Sequence, residues 1–252
     1  MAHDAKTVLV LGGTGSIGQS VCRSLAASGY DIHFTYGRKL EVAKCLAREI
    51  EKIGRHASYH QEILGSPNAL EALEKVVFDL PALSGAVYAS GPDLAQPFIS
   101  QVEAEKWGEI FQQDTLSFLA FARLVVARFR SLGGGALIAV TTAAAMRHAD
   151  RDGLSSIPKA AVEAAVRGIA REEGRYGIRA NCVAPGMLDV GLGQRIISNH
   201  FSPEIAERIK VSIPLRSFGN AEDISAAVEF LMSPNARYIT GQVLRVDGGW
   251  SV

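Results

Sequence analysis

An α/β fold, with one doubly wound parallel sheet covered by helices on both faces, is what this sequence predicts. Three observations carry the expectation. Short β-branched runs alternate with longer helical patterns almost from end to end. The strand-like runs are continuously apolar, the pattern of strands buried on both faces. A glycine cluster stands where the first strand meets the first helix.

The elements follow in order. Val8-Leu9-Val10-Leu11 is a buried strand, and a helix over Ile17–Ser28 carries apolar residues at helical spacing (Ile17, Val21, Leu25) before a closing Gly29. Ile32–Tyr36 is the second strand, and Leu40–Ile53 an amphipathic helix closed by Gly54. The order repeats with a strand at Ala57–His60, a helix around Ala69–Phe78 and a strand at Gly85–Ala89. A long helix around Glu103–Phe129 leads to the strand Ala136–Val140. A helix around Lys159–Tyr176 precedes the strand Arg179–Val183, and the chain ends with a helix near Ala221–Met232 and the strand Val243–Val246. Pro158 is best tolerated in a first turn, so that sixth helix is expected to begin at Ser155 or Ser156 with a serine as its cap. Each crossover is expected to be right-handed. No Pro/Ser-rich linker, charge run or repeat divides the 252 residues, so one domain over 1–252 is expected.

Composition narrows the function. Twenty-six basic residues balance 26 acidic ones, which removes the bulk drive toward nucleic acid or an anionic membrane. The longest apolar stretch, Gly133–Met146, is glycine-rich, interrupted by two threonines and unsuited to crossing a bilayer. The N-terminus runs straight into a strand-like segment with no cleavage pattern. Cys22, Cys45 and Cys182 lack metal-ligand spacing and read as free thiols of a reducing compartment, so a cytoplasmic chain without structural metal is expected.

The glycine cluster, Gly12-Gly13-Thr14-Gly15-Ser16-Ile17-Gly18, offers close backbone approach and free N–H groups at a helix start, which is what a dinucleotide pyrophosphate requires. An NAD-type site would place an acid at the end of the second strand. Here the run is Phe34-Thr35-Tyr36-Gly37-Arg38-Lys39, with two cations and no acid. The planar fork of Arg38 suits a ribose 2′-phosphate, so NADP(H) is the expected cofactor.

On these residues the chain resembles the short-chain dehydrogenase/reductase family, in the style of its 3-oxoacyl-acyl-carrier-protein reductases. Asn181-Cys182-Val183-Ala184-Pro185-Gly186 is similar to the family's Asn-x-Val-x-Pro-Gly segment. Glu222-Asp223-Ile224, Ile239-Thr240-Gly241-Gln242 and Val246-Asp247-Gly248-Gly249 resemble its C-terminal signature. The resemblance covers essentially the whole length. It implies a single-domain Rossmann-type sheet of about seven strands and assembly as a homodimer or homotetramer. It also implies cofactor contacts at Gly12, Thr14, Ser16, Ile17, Gly18, Arg38 and Lys39, at Glu62 and Ile63, at Ala89 and Gly91, at Lys159, and at Pro185, Gly186 and Leu188.

The catalytic pattern departs from the family's Asn, Ser and Tyr-x-x-x-Lys. Aligned through Trp107, Asp114 takes the Asn position; Thr142 takes the Ser position; Lys159 is kept, and Ser155 replaces the Tyr. Tyr88-Ala89-Ser90-Gly91 replaces an Asn-Asn-Ala-Gly run, and Val190 a threonine. Thr142 can donate the same hydrogen bond as Ser. Ser155 is shorter than a tyrosine and, as an aliphatic alcohol, a far weaker acid than a phenol of pKa about 10. Substitute proton donors are His148, in a loop with Arg147, Asp150, Arg151 and Asp152 that the resemblance puts beside the substrate, and also Tyr88 and Asp114. The segment 187–213, with Leu188, Leu192, Ile196, Ile197, Phe201 and Ile205, corresponds to a substrate lid suited to an apolar or acyl group, such as an acyl thioester. Three functions stay open: an NADP(H)-dependent oxidoreductase with an atypical donor, a silent subunit paired with an active homologue, and a non-redox lyase or hydratase.

Overall fold

A computed structural model of the chain describes residues 6–62, 69–92, 94–200 and 202–252. Seven parallel strands form one sheet in the order β3-β2-β1-β4-β5-β6-β7. They are β1 (Thr7–Leu11), β2 (Asp31–Tyr36), β3 (Ala57–Gln61), β4 (Leu83–Tyr88), β5 (Gly135–Val140), β6 (Ile178–Pro185) and β7 (Val243–Val246). The helices are α1 (Ser16–Ala27), α2 (Leu40–Lys52), α3 (Ala69–Asp79), α4 (Ala104–Phe111), α5 (Ser117–Leu132), α6 (Gly153–Glu173), α7 (Gly191–His200), α8 (Pro203–Ser212) and α9 (Ala221–Met232). The chain is a single Rossmann-like α/β domain, as the alternating pattern predicts.

The apolar continuity of the strands has a simple cause. Val8 and Val10 join a core with Val21, Leu25, Phe34, Leu46, Ile50 and Val228, beneath α1, α2 and α9. Leu9 and Leu11 point the other way, into a core with Leu73, Val77, Phe121, Val125, Val162 and Val166, beneath α3, α5 and α6. Both faces of β1 are therefore dry, and no polar alternation can appear. Helices on the same side are clasped to one another by polar contacts. The Ser20 and Ser225 hydroxyls are 2.9 Å apart, and Ser28 Oγ donates to Glu229 at 2.6 Å, joining α1 to α9. On the opposite side Arg130 grips Glu173 with two nitrogens, at 2.7 and 2.5 Å, joining α5 to α6.

Two expectations about helices need correction. The long helix predicted over Glu103–Phe129 is interrupted: a π-helical turn over Gln112–Leu116 separates α4 from α5. The stretch Ala104–Leu132 is long and apolar enough to cross a membrane by length and composition, yet half of its most apolar 18-residue window is buried. Its apolar side, with Phe118, Phe121, Val125 and Phe129, is used in packing on the sheet.

The second correction concerns α6, which starts at Gly153 after Asp152 rather than at a serine cap. The Asp152 carbonyl accepts from Ser155 N (3.0 Å) and Ser156 N (2.8 Å), which closes a turn before Pro158 is reached. Pro158 therefore lies inside the helix. The early start is possible because Gly153 has no Cβ; one built there would lie 2.6 Å from Ile99 Cγ1.

Candidate active site

The sheet order reverses between β1 and β4, so the loops that follow these two strands diverge and leave a cleft at their carboxyl ends. The glycine loop after β1 is folded so that each key glycine is required. Gly12 has φ +88°, and its N–H donates to Thr35 Oγ1 at 3.0 Å. A Cβ on Gly12 would meet Ala89 O at 2.9 Å, one on Gly13 would meet Phe34 Cβ at 2.7 Å, and one on Gly18 would meet Gly12 O at 2.2 Å. The first intrahelical bond of α1 is Gln19 N to Gly15 O (2.9 Å), which leaves the N–H groups of Ser16, Ile17 and Gly18 ahead of it. No acidic side chain sits in that first turn. The loop fits a pyrophosphate: a close backbone cradle, a positive helix end and no competing anion. Thr14 is buried beneath the loop, while Ser16 is exposed at its rim.

Arg38 and Lys39 stand exposed just past β2, and neither side chain makes a hydrogen bond or ion pair with the described residues. Next to them, Glu62 N donates to Tyr36 O at 2.9 Å, and the Glu62 side chain is buried with Oε1 unpartnered. Behind Glu62 lies a histidine pair. His33 Nε2 is 2.8 Å from His60 Nδ1, and His60 Nε2 is 3.7 Å from Glu62 Oε2. Burial first, then the charges of His60 and His56, hold His33 down to about 4. Ile63 lies outside the described residues.

At the other end of the cleft is a buried ion pair. Lys159 Nζ, on α6, lies 2.7 Å from Asp114 Oδ1 and 3.3 Å from Ser90 O in the loop after β4. Asp114 is 1% exposed and sits in the π-helical turn. The extra residue of that turn carries Asp114 to α6, and Thr115 Oγ1, donating to Pro158 O at 3.1 Å, fixes the same junction. Gly91 borders the ammonium: a Cβ there would lie 3.9 Å from Lys159 Nζ. Two of the three Lys159 donors are thus committed, leaving one for a ligand.

Tyr88, expected as a possible proton donor, is not one. It is fully buried, and its hydroxyl donates to the Asp114 carbonyl at 3.0 Å. Burial first, then the Asp114 charge, pushes its phenol well above the ordinary range. Its strand position selects it as a prop for the π-helical turn.

The remaining predicted residues are dispersed around this pair. Thr142 lies two residues past β5, half-buried, and its Oγ1 accepts from Ala144 N at 3.2 Å. Ser155 is half-buried on α6, one helical turn from Asp152, and its N–H donates to the Asp152 carbonyl at 3.0 Å. His148 is exposed, and its Nδ1 lies 3.4 Å from Ser156 Oγ rather than at the ion pair. Pro185 closes β6, and Gly186 N donates to Val246 O at 3.0 Å. A Cβ on Gly186 would strike Asp247 at 2.7 Å. Leu188 is buried in the core beside Gly219, so its side chain packs inward. Ala89 N donates to Leu11 O at 2.9 Å, which holds the two diverging loops together. Sequence reasoning gave Asp152 no role, although an acid three residues before Ser155 shares a helix face with it. The late helix start hid that spacing.

Comparison with known proteins gives a consistent result. A family model described as enoyl-(acyl carrier protein) reductase matches residues 12–251. An uncharacterized oxidoreductase of Bacillus subtilis (strain 168), YmfI, is 31% identical over 246 residues, covering 97% of this chain and 98% of that protein. A 3-oxoacyl-[acyl-carrier-protein] reductase of Staphylococcus epidermidis is 25% identical over 97% of this chain and 98% of its own length. Among solved structures, a short-chain type dehydrogenase/reductase from Mycobacterium ulcerans superposes with a TM-score of 0.89 at 26% identity, covering 98% of this chain and 90% of that one.

Proposed function

Because the chain belongs to the short-chain dehydrogenase/reductase family, an oxidoreductase family acting on carbonyl and alcohol substrates, we propose that it is an NADP(H)-dependent member with an atypical proton donor. The carrying observation is at the carboxyl end of β2, where Arg38 and Lys39 stand exposed and unpaired among the described residues, beside a glycine loop that fits a pyrophosphate. The nicotinamide would supply or accept hydride. The chain's own residues do the rest: the α1 N–H groups and Ser16 hold the pyrophosphate, Arg38 and Lys39 the 2′-phosphate, and Lys159 the far ribose with its one remaining donor. Glu62, Ala89, Gly91, Pro185 and Gly186 line the cleft between these points. Thr142 offers a hydroxyl to the substrate oxygen, and Asp114 fixes Lys159.

The substrate of this reading is a small carbonyl or alcohol compound, with an acyl thioester favoured by the likeness to a 3-oxoacyl-carrier-protein reductase. The segment 187–213, which holds α7 and α8, serves as its lid; a Cβ on Gly191 would lie 3.3 Å from Ser16 Oγ, so α7 begins against the glycine loop. The reading further takes the chain as a cytoplasmic homodimer or homotetramer with no nucleic-acid or membrane partner. Leu116 and Leu119, exposed on and beside α5, support assembly, and the free thiols support a reducing compartment. A second reading, a silent subunit beside an active homologue, is favoured by one observation, the serine at 155.

Side-by-side titration of the purified chain with NADPH and NADH tests the proposal. NADPH is expected to bind more tightly. Arg38→Ala should weaken NADPH about 10- to 100-fold, the worth of one charge-assisted contact, and leave NADH nearly unchanged. Equal loss for both would remove the 2′-phosphate contact. Binding of neither would turn the reading toward the silent subunit.

A further inference from the structure

Asp152 is the unexplained group near this site. It precedes α6 at the position from which an aspartate ordinarily caps a helix, yet its carboxyl accepts no backbone N–H there. Instead the carboxyl accepts from Gln96 Nε2 at 3.4 Å, in the segment after β4, and the Ser155 side chain stands beside it one helical turn on. Asp152, Ser155 and Lys159 follow one another at spacings of three and four, so they share one side of the helix. That side ends at the Lys159–Asp114 pair and the Ser90 carbonyl.

We propose that Asp152 is the proton source of this site, with the Ser155 hydroxyl as its relay to the substrate oxygen. The inference rests on the reductase reading above. In the reduction, the carbonyl carbon gains a hydride from reduced nicotinamide, and that electron pair becomes the new C–H bond. The π pair of the C=O bond moves to oxygen, which takes the Ser155 hydroxyl proton as Ser155 takes the Asp152 proton. The products are an alcohol, oxidised nicotinamide and an Asp152 carboxylate, which solvent reprotonates. In the oxidation every transfer reverses.

The protonation state agrees with this role. Burial raises the Asp152 carboxyl to about 7, against the lowering effect of Ser155 and Gln96. The charged groups of the preceding loop are directed elsewhere: Arg151 lies over the Phe98 ring at 4.5 Å, Arg147 over the Trp250 ring at 5.1 Å, and His148 reaches Ser156. Asp150 is exposed. On α6 itself, Lys159 is engaged by Asp114. An acid that titrates near neutrality is what proton transfer at physiological pH requires, and an unassisted serine cannot provide it.

The test compares the chain with its Asp152→Asn and Asp152→Glu variants. Carbon-13 NMR of aspartate-labelled protein without cofactor should show one carboxyl titrating near 7 that is absent from Asp152→Asn. With NADPH and a ketone, Asp152→Asn should lower kcat about 100-fold or more, the usual worth of a general acid, while NADPH affinity stays within about twofold. The parent's fall in rate above neutral pH should vanish in Asp152→Asn and return, shifted, in Asp152→Glu. Two results overturn the proposal and leave the reductase reading standing: no carboxyl titrating above the ordinary range, or an Asp152→Asn rate and pH profile equal to the parent's. A parent that shows no nicotinamide-dependent turnover overturns the reductase reading, and the proton role falls with it.

Discussion

Lys159 and Asp114 are the two residues whose chemistry depends most on each other. Both are buried, and their 2.7 Å contact offsets the loss of water around each. Lys159→Ala strands a carboxylate that is 1% exposed and is expected to destabilise the fold by about 3–5 kcal/mol, besides weakening cofactor binding. Adding Asp114→Asn to it should recover most of that stability but not the binding; denaturant titration of the four chains of the cycle measures the first, and NADPH titration the second. If Lys159→Ala proves as stable as the parent, the pair is not the buried contact described. Asp114, Thr142, Ser155 and Lys159 could be singled out as candidates in the sequence because each falls at a fixed distance from a recognisable anchor. Which donors remain free was not legible. Tyr88 was open to misreading for the same reason: a strand-end aromatic gives no sign in sequence of which way its hydroxyl turns.

At the scale of elements, strand and helix order were legible almost completely, because buried parallel strands and amphipathic helices write different periods into the chain. The start of α6 and the π-helical turn were not. Both depend on contacts distant in sequence, Gly153 beneath Ile99 in one case and Tyr88 with Thr115 in the other. The Glu222-Asp223-Ile224 segment shows how a family signature can have a local cause. Asn220 Oδ1 accepts from Asp223 N at 2.9 Å, and Asp223 Oδ2 accepts from Asn220 N at 2.8 Å, a reciprocal cap on α9. Asn220→Ala is expected to cost about 1 kcal/mol, which for a chain of this size lowers Tm by about 2–4 °C. Scanning calorimetry checks it. NADPH affinity should stay as it was, since the cap lies outside the cleft; a loss of affinity would mean that α9 positions the site.

Across the whole molecule, proton linkage joins two distant groups. His33 is held down to about 4 from an ordinary 6.5, so the unfolded chain takes up a proton that the fold refuses, and stability falls as pH drops through that window. Asp152 is raised from an ordinary 3.8 to about 7, so the fold holds a proton that the unfolded chain releases, and stability falls as pH rises through that window. The two slopes oppose each other where the windows overlap. Asp152→Asn should therefore unmask the histidine: between pH 5 and pH 6.5 its Tm should climb by several degrees more than the parent's. Parallel Tm profiles would show that Asp152 has no raised affinity for its proton. A different consequence follows from the buried pair between the π-helical turn and α6. With an amide at 114, position 159 can exchange a lysine for a neutral residue and leave no charge behind, losing the bond to the Ser90 carbonyl. With Asp114 in place the same exchange leaves a charge in the interior. The two positions are thus locked in sequence space, so a path toward another chemistry in this cleft has to change both together or cross an intermediate with one uncompensated charge.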